Sequence, residues 1–289
     1  MNNIDILKYF PHIIGQTIID NLDKDEYKIL EEIRIRVSKP IIIKLNTGDK
    51  ILNYIITTQD ILEILAKITE NSIYSHQRQI CEGYITLKGG HRVGITGNVV
   101  MENEKVININ YIYSLNFRIA KQIIGASEKI VKEVIDNSNI YNTLIISPPG
   151  AGKTTILRDL IRIISQDKTV GVVDERGEIA AMYKNEPQNN IGVKVDILSN
   201  VSKNVGMKML VRSMAPDIIC ADEIGTKQDI EAIRYAITSG VKGIFTAHGD
   251  SIESIKQSPI LKELLEMKMI DKIIILNKNN RDNIQIHKL

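Results

Sequence analysis

Apolar and polar positions keep two different rhythms along this 289-residue chain. From Asn142 onward, short apolar runs alternate with stretches of helical period. "NTLIIS" (Asn142–Ser147), "TVGVVD" (Thr169–Asp174), "DIICAD" (Asp217–Asp222) and "KGIFTAH" (Lys242–His248) read as buried strands. Between them, "KTTILRDLIRII" (Lys153–Ile164), "SKNVGMKMLVRS" (Ser202–Ser213) and "KQDIEAIRYAITSG" (Lys227–Gly240) space their apolar residues as helices do. Pro216 breaks the second pattern and Gly240 closes the third. Strands alternating with crossover helices predict a mainly parallel sheet covered on both faces. Reactive groups in such sheets gather at the carboxyl ends of the strands. Here those ends carry Ser147, Asp174, Asp222 with Glu223, and His248.

The N-terminal part has a mixed pattern. "IRIRV" and "PIIIKL" alternate as short strands, and Thr58–His76 reads as one helix capped by Thr58. Gly83–Val100 reads as a hairpin turning at Gly89-Gly90. Arg34 and Arg36 alternate with Ile33, Ile35 and Val37, so both belong to one strand face, most simply a solvated one. The expected layout is a smaller mixed α/β domain over 1–124, a helical linker over 125–140 and an α/β domain over 141–289.

Composition narrows the picture. Thirty-seven Lys and Arg against 35 Asp and Glu leave a formal charge of +2, and aromatics make up 4%. Neither a global field nor a stacking platform for nucleic-acid bases is suggested. Cys81 and Cys220 stand far apart without a CxxC partner, so neither a disulfide framework nor a zinc site is expected, and a reducing cytosol fits. The N-terminus lacks a basic stretch ahead of an apolar one, and apolar runs such as Ile273–Leu276 are too short to span a bilayer.

The chemistry concentrates in "SPPGAGKTT". Ser147 to Thr154 fits the phosphate-loop pattern GxxxxGK(S/T) everywhere except at its first position, between a strand and a helix. Gly150 and Gly152 let backbone N–H groups turn inward at a helix N-terminus, while Pro148 and Pro149 stiffen the turn. Ser147, Pro148, Pro149, Gly150, Ala151, Gly152, Lys153, Thr154 and Thr155 are therefore the expected nucleotide-binding residues, with ATP and Mg²⁺ as ligands. Lys153 can reach the β- and γ-phosphates, and the Thr154 hydroxyl can ligate Mg²⁺. In "DIICADEIG", Asp222 is the expected metal carboxylate and Glu223 the group that orients or deprotonates water. "VVDERGEIAAM" sets Asp174, Glu175, Arg176 and Glu178 at another strand end, as a second acidic cluster or as an exposed turn of paired charges. His248 is a candidate γ-phosphate sensor.

Taken in order, "SPPGAGKTT", "VVDERGE", "RSMAPDIICADEIG" and "SGVKGIFTAHGDS" resemble the phosphate loop, acidic box, Walker B box and histidine box of the type II and type IV secretion ATPases. That resemblance implies a RecA-like P-loop NTPase core that hydrolyses ATP. "EIRIRVSKPI", "GYITLKGGHRVGITGNVV" and "SLNFRIAK" extend the likeness to a sporulation branch of the superfamily. It implies a hexameric ring in the mother cell, partnered with membrane-embedded sporulation channel proteins. It also makes Arg92 and Arg118 candidate catalytic cations. Some residues depart from the superfamily pattern. Asp222 replaces the usual glycine before the glutamate, and "DERGE" lacks the usual proline, which leaves the choice of Asp174 or Glu175 as water-orienting group open. Arg212 sits too far from Pro216-Asp217 to be given a catalytic part. Two other readings stay open: a nucleic-acid-dependent RecA-like ATPase, and a nucleotide switch without hydrolysis.

Overall fold

A computed structural model describes residues 3–136, 139–278 and 284–289. The chain divides into two compact units, Met1–Lys121 and Gln122–Leu289. Among the described residues, no helix is long and apolar enough to cross a membrane.

The first unit is built on six strands: β1 (Leu30–Arg36), β2 (Pro40–Leu45), β3 (Gly48–Ile55), β4 (Tyr84–Thr86), β5 (Arg92–Glu102) and β6 (Lys105–Arg118). Their order is β3-β2-β1-β6-β5-β4, every neighbour antiparallel. Alternation sets one sheet face inward. Ile33, Ile35, Ile41, Ile43, Val93, Leu115 and Phe117 pack on helices α1 (His12–Asn21) and α2 (Thr58–Ile68). The expected helix to His76 stops at Ile68. Its cap is Thr57, not Thr58: the Thr57 hydroxyl accepts the Asp60 N–H at 3.1 Å, and the Asp60 carboxylate accepts the Thr57 N–H at 2.8 Å. Glu70 and Asn71, at φ 51° and 60°, turn the chain out of the helix, and Tyr74–His76 form a separate 3₁₀ turn.

The second unit holds β7 (Thr143–Ser147), β8 (Val170–Asp174), β9 (Val195–Ser199), β10 (Ile218–Ala221), β11 (Lys242–His248), β12 (Lys272–Leu276) and β13 (Ile284–Lys288). The sheet order is β9-β8-β10-β11-β7-β12-β13, parallel except for the final pair. Consecutive residues serve opposite faces. Leu144 and Ile146 join a core with helices α4 (Lys203–Met214), α5 (Lys227–Thr238) and α6 (Pro259–Glu266). Ile145 joins the other core, with Leu157, Leu160 and Ile161 of α3 (Lys153–Ile164). Each such side chain, fully buried, contributes about 1.5–3 kcal/mol. Helix α4 lies close over β8: a Cβ added at Gly206 would come within 2.6 Å of a Val173 methyl.

Among the described residues of the stretch expected as a helical linker, only Val131–Val134 form an α-helix, and the stretch belongs to the second unit. Asp159 of α3 captures it. The buried carboxylate accepts the Gly125 N–H at 3.1 Å, and the Ser127 N–H and hydroxyl at 2.9 and 2.8 Å. Ile130 and Val134 then join the core around α3.

Candidate active site

The phosphate loop is shaped by two glycines in the left-handed region. Gly150 takes φ 77° and Gly152, the N-cap of α3, takes φ 95°. Ser147 ends β7 fully buried, its hydroxyl donating to the Pro148 carbonyl at 2.9 Å. Serine at the first position thus braces the turn from below. Ala151 is buried beneath the loop and its N–H returns to the Pro148 carbonyl at 3.3 Å. Lys153, Thr154 and Thr155 open α3, the lysine buried and the two threonines half-buried.

Two side chains of this loop meet the end of β10. Lys153 Nζ donates to Glu223 Oε1 at 3.2 Å, and the Thr154 hydroxyl to Asp222 Oδ2 at 2.5 Å. Parallel register sets the scene, because Ala221 pairs with Phe245, bringing Asp222 and Glu223 beside Thr246 of β11. The fully buried Thr246 hydroxyl donates to Asp222 Oδ1 and accepts the Glu223 N–H at 2.8 Å. Glu223 itself takes φ 54°, a left-handed conformation that costs a non-glycine residue about 1–3 kcal/mol. Its carboxylate also meets Arg176 Nη1 and lies 3.3 Å from His248 Nε2. Burial opposes ionisation of Glu223, but the Lys153 hydrogen bond, then the charges of Lys153, Arg176 and His248, hold its carboxyl below the usual range.

The acids of "DERGE" are differently engaged. Asp174 is buried, and its two oxygens accept the N–H groups of Glu178 (2.7 Å), Ile179 (3.0 Å) and Ala180 (2.8 Å). Glu175 forms an ion pair with Lys203 at the start of α4. From α3, Arg158 donates to the carbonyls of Glu178 (2.6 Å) and Ile179 (3.0 Å). The acidic turn is therefore a pinned loop. On the other side of β7 from Asp222 and Glu223, a cavity of about 270 Å³ opens beside Pro148, lined by Asp250, Ile275, Leu276, Asn277, Lys278 and Gln285.

The family model for "Sporulation stage III, protein AA" matches residues 6–286. The chain belongs to that family. It is 37% identical over 266 residues to stage III sporulation protein AA of Bacillus subtilis (strain 168), covering 90% of this chain and 86% of that one. Its fold is similar to that of the ATPase DotB of Legionella pneumophila, with TM-score 0.59 at 15% identity over 93% of this chain and 76% of the other. It is also similar to the pilus retraction motor PilT solved with bound ADP, with TM-score 0.60 at 14% identity over 91% and 76%. The expected fold class is thus the observed one: a parallel-rich sheet of the RecA-like P-loop type, with a smaller mixed α/β unit before it.

For this family member, the second unit gathers Lys153, Thr154, Asp222, Glu223 and His248 within contact distance. Arg92 and Arg118 lie in the first unit, cross-strand neighbours on β5 and β6, with Glu32 opposite Arg118 on β1. The Arg92 guanidinium sits 5.1 Å from the Tyr84 ring centre, and Arg118 is exposed. Arg212 stacks on Tyr235 of α5, away from the phosphate loop. Thr246 fills no motif position that assigns it a role, and a polar threonine inside the apolar run "GIFTAH" is the one local signal of its part. Asp222 and Thr154 offer hard oxygen donors that fit Mg²⁺. That ion takes one or two protein ligands and completes its shell with phosphate and water. Among the described residues, no group of three or more His, Cys, Asp or Glu is arranged for a metal.

Proposed function

We propose that the chain is an ATPase that cleaves the terminal phosphate of ATP at the end of β10. One observation carries this reading: Lys153 and Thr154 of the phosphate loop meet Glu223 and Asp222, about seventy residues on, in side-chain contact. Backbone N–H groups of the loop cradle the phosphates, and Lys153 moves from Glu223 onto the β- and γ-oxygens. Glu223 then orients the attacking water and takes its proton. Thr154 and Asp222 would hold Mg²⁺, which neutralises charge on the transferred phosphoryl group. His248 reports on the same oxygens. Asp174 shapes the loop beside them, and Glu175 steadies it through Lys203. With the carboxylates on one side of β7, the ribose and base extend to the other, into the cavity beside Pro148.

Arg92 and Arg118, cross-strand neighbours on one sheet, are the further proposed catalytic cations, their charge suited to phosphate oxygens. Family membership and the motor-like fold support a wider role: an oligomeric ring that energises membrane-embedded sporulation channel proteins from the mother-cell side. Rigid-body motion driven by nucleotide would be the output.

The test is phosphate release from Mg–ATP by the purified full chain, beside Lys153→Ala, with mass measured with and without nucleotide. Turnover in the wild type and loss of at least about 10³-fold in the variant are expected. ATP binding without release would replace the reading by a nucleotide switch. Release that requires single-stranded DNA or RNA would replace it by a nucleic-acid motor.

A further inference from the structure

The turn after β8 is held as a platform, and what it presents is an arginine. Asp174 gathers three backbone N–H groups, Arg158 holds two carbonyls from below, and Gly177 at φ 64° returns its N–H to the Asp174 carbonyl at 3.4 Å. Glu175 is turned toward Lys203. Arg176, with 64% of its side chain exposed, reaches across to the Glu223 carboxylate. Lys153 occupies Oε1 of that carboxylate and Arg176 occupies Oε2.

Two cations on opposite oxygens of one carboxylate share a target. A phosphoryl group that draws Lys153 away lies within reach of the guanidinium as well. Its several charges and oxygens out-compete a single carboxylate for the arginine fork.

We propose that Arg176 is a catalytic residue of the hydrolysis: a guanidinium supplied in cis that passes from Glu223 to the terminal phosphate, stabilising its charge and freeing Glu223 to act. This rests on the ATPase reading above. In the step, the water oxygen bonds to the γ-phosphorus and the bond to the β–γ bridging oxygen breaks. The bridging electron pair stays on ADP, and the water proton passes to Glu223 and then to solvent. Lys153 and Arg176 meet the charge on the equatorial oxygens.

The experiment compares the full-length wild type with Arg176→Ala and Arg176→Lys. For Arg176→Ala, kcat falls about 10³-fold, within the span found for arginines acting on phosphoryl transfer. Affinity for a non-hydrolysable triphosphate analogue falls about tenfold, as for loss of one charge-assisted hydrogen bond, while ADP affinity changes less than about twofold. Free guanidinium restores part of the rate to Arg176→Ala. Arg176→Lys, lacking the fork, recovers less than a tenth of wild-type turnover. Equal triphosphate and diphosphate affinities in Arg176→Ala, with kcat within about threefold of a turning-over wild type, overturn the proposal and leave the ATPase reading intact. Absence of turnover in the wild type itself overturns both. The side chain is exposed, so both variants are expected to fold, and a matching thermal transition checks that they do.

Discussion

Two acidic segments end neighbouring parallel strands, and they use their carboxylates in opposite ways. After β8, Asp174 turns inward and is wrapped by three N–H groups of its own loop. After β10, Asp222 and Glu223 turn outward, toward the hydroxyl and ammonium of the phosphate loop. The backbone decides between them. The chain past Asp174 curls back far enough for residues 178–180 to offer N–H groups. The chain past Ala221 is held by Thr246 and by the left-handed conformation of Glu223, and among the described residues no backbone N–H from it reaches those carboxylates. A carboxylate becomes a reagent where the backbone around it finds its partners elsewhere.

The contrast can be broken by substitution. Glu223→Gln should lower kcat about 10³-fold while ATP affinity in filter or calorimetric binding stays within a few-fold, as loss of a general base requires. Asp174→Asn should act on folding instead. An amide offers one acceptor where three N–H groups converge, at a cost of about 2–3 kcal/mol, read as a fall of about 5–10 °C in Tm. Equal and purely catalytic losses in both variants would erase the distinction. His248→Ala should lower kcat about tenfold, the worth of one hydrogen bond to a charged group. Glu175→Gln loses only a partly exposed ion pair, so its stability should change by less than about 1 kcal/mol and its turnover by less than about twofold.

Acid titration sharpens the comparison further. The folded Glu223 carboxyl lies below its ordinary value, so its pairing stabilises the protein above the unfolded carboxylate range and is lost as pH falls through the lowered value. The stability gap between wild type and Glu223→Gln should therefore stay flat from pH 7 to about 5 and close below about 4 in denaturant titrations.

Much of this site was legible in the sequence. The glycine loop, its lysine and the apolar strand before Asp222-Glu223 carry fixed local signatures, and parallel topology brought the strand ends together. What was not legible depends on contacts between segments. Nothing in "VVDERGE" says that Asp174 will be enclosed by residues 178–180, because the same letters suit an exposed turn. Thr246 acts through its register beside Ala221, which no local pattern fixes. Strand β9 is half-buried along its length, as an edge strand is, and so lacks the apolar run that marked its neighbours. The segment around Ser127 resembled a linker until Asp159 gave its backbone a buried partner. In the first unit, the expected cap Thr58 is one residue late: Asp60, three residues after Thr57, completes a capping box with Thr57.

Gly206 carries a warning for genetics. It touches no reacting atom, yet even a methyl there would wedge α4 away from Val173, taking Lys203 and its hold on Glu175 along. A screen that scores only activity would rank position 206 among the reactive groups, and only a melting curve would reveal the glycine as a spacer between a helix and a strand.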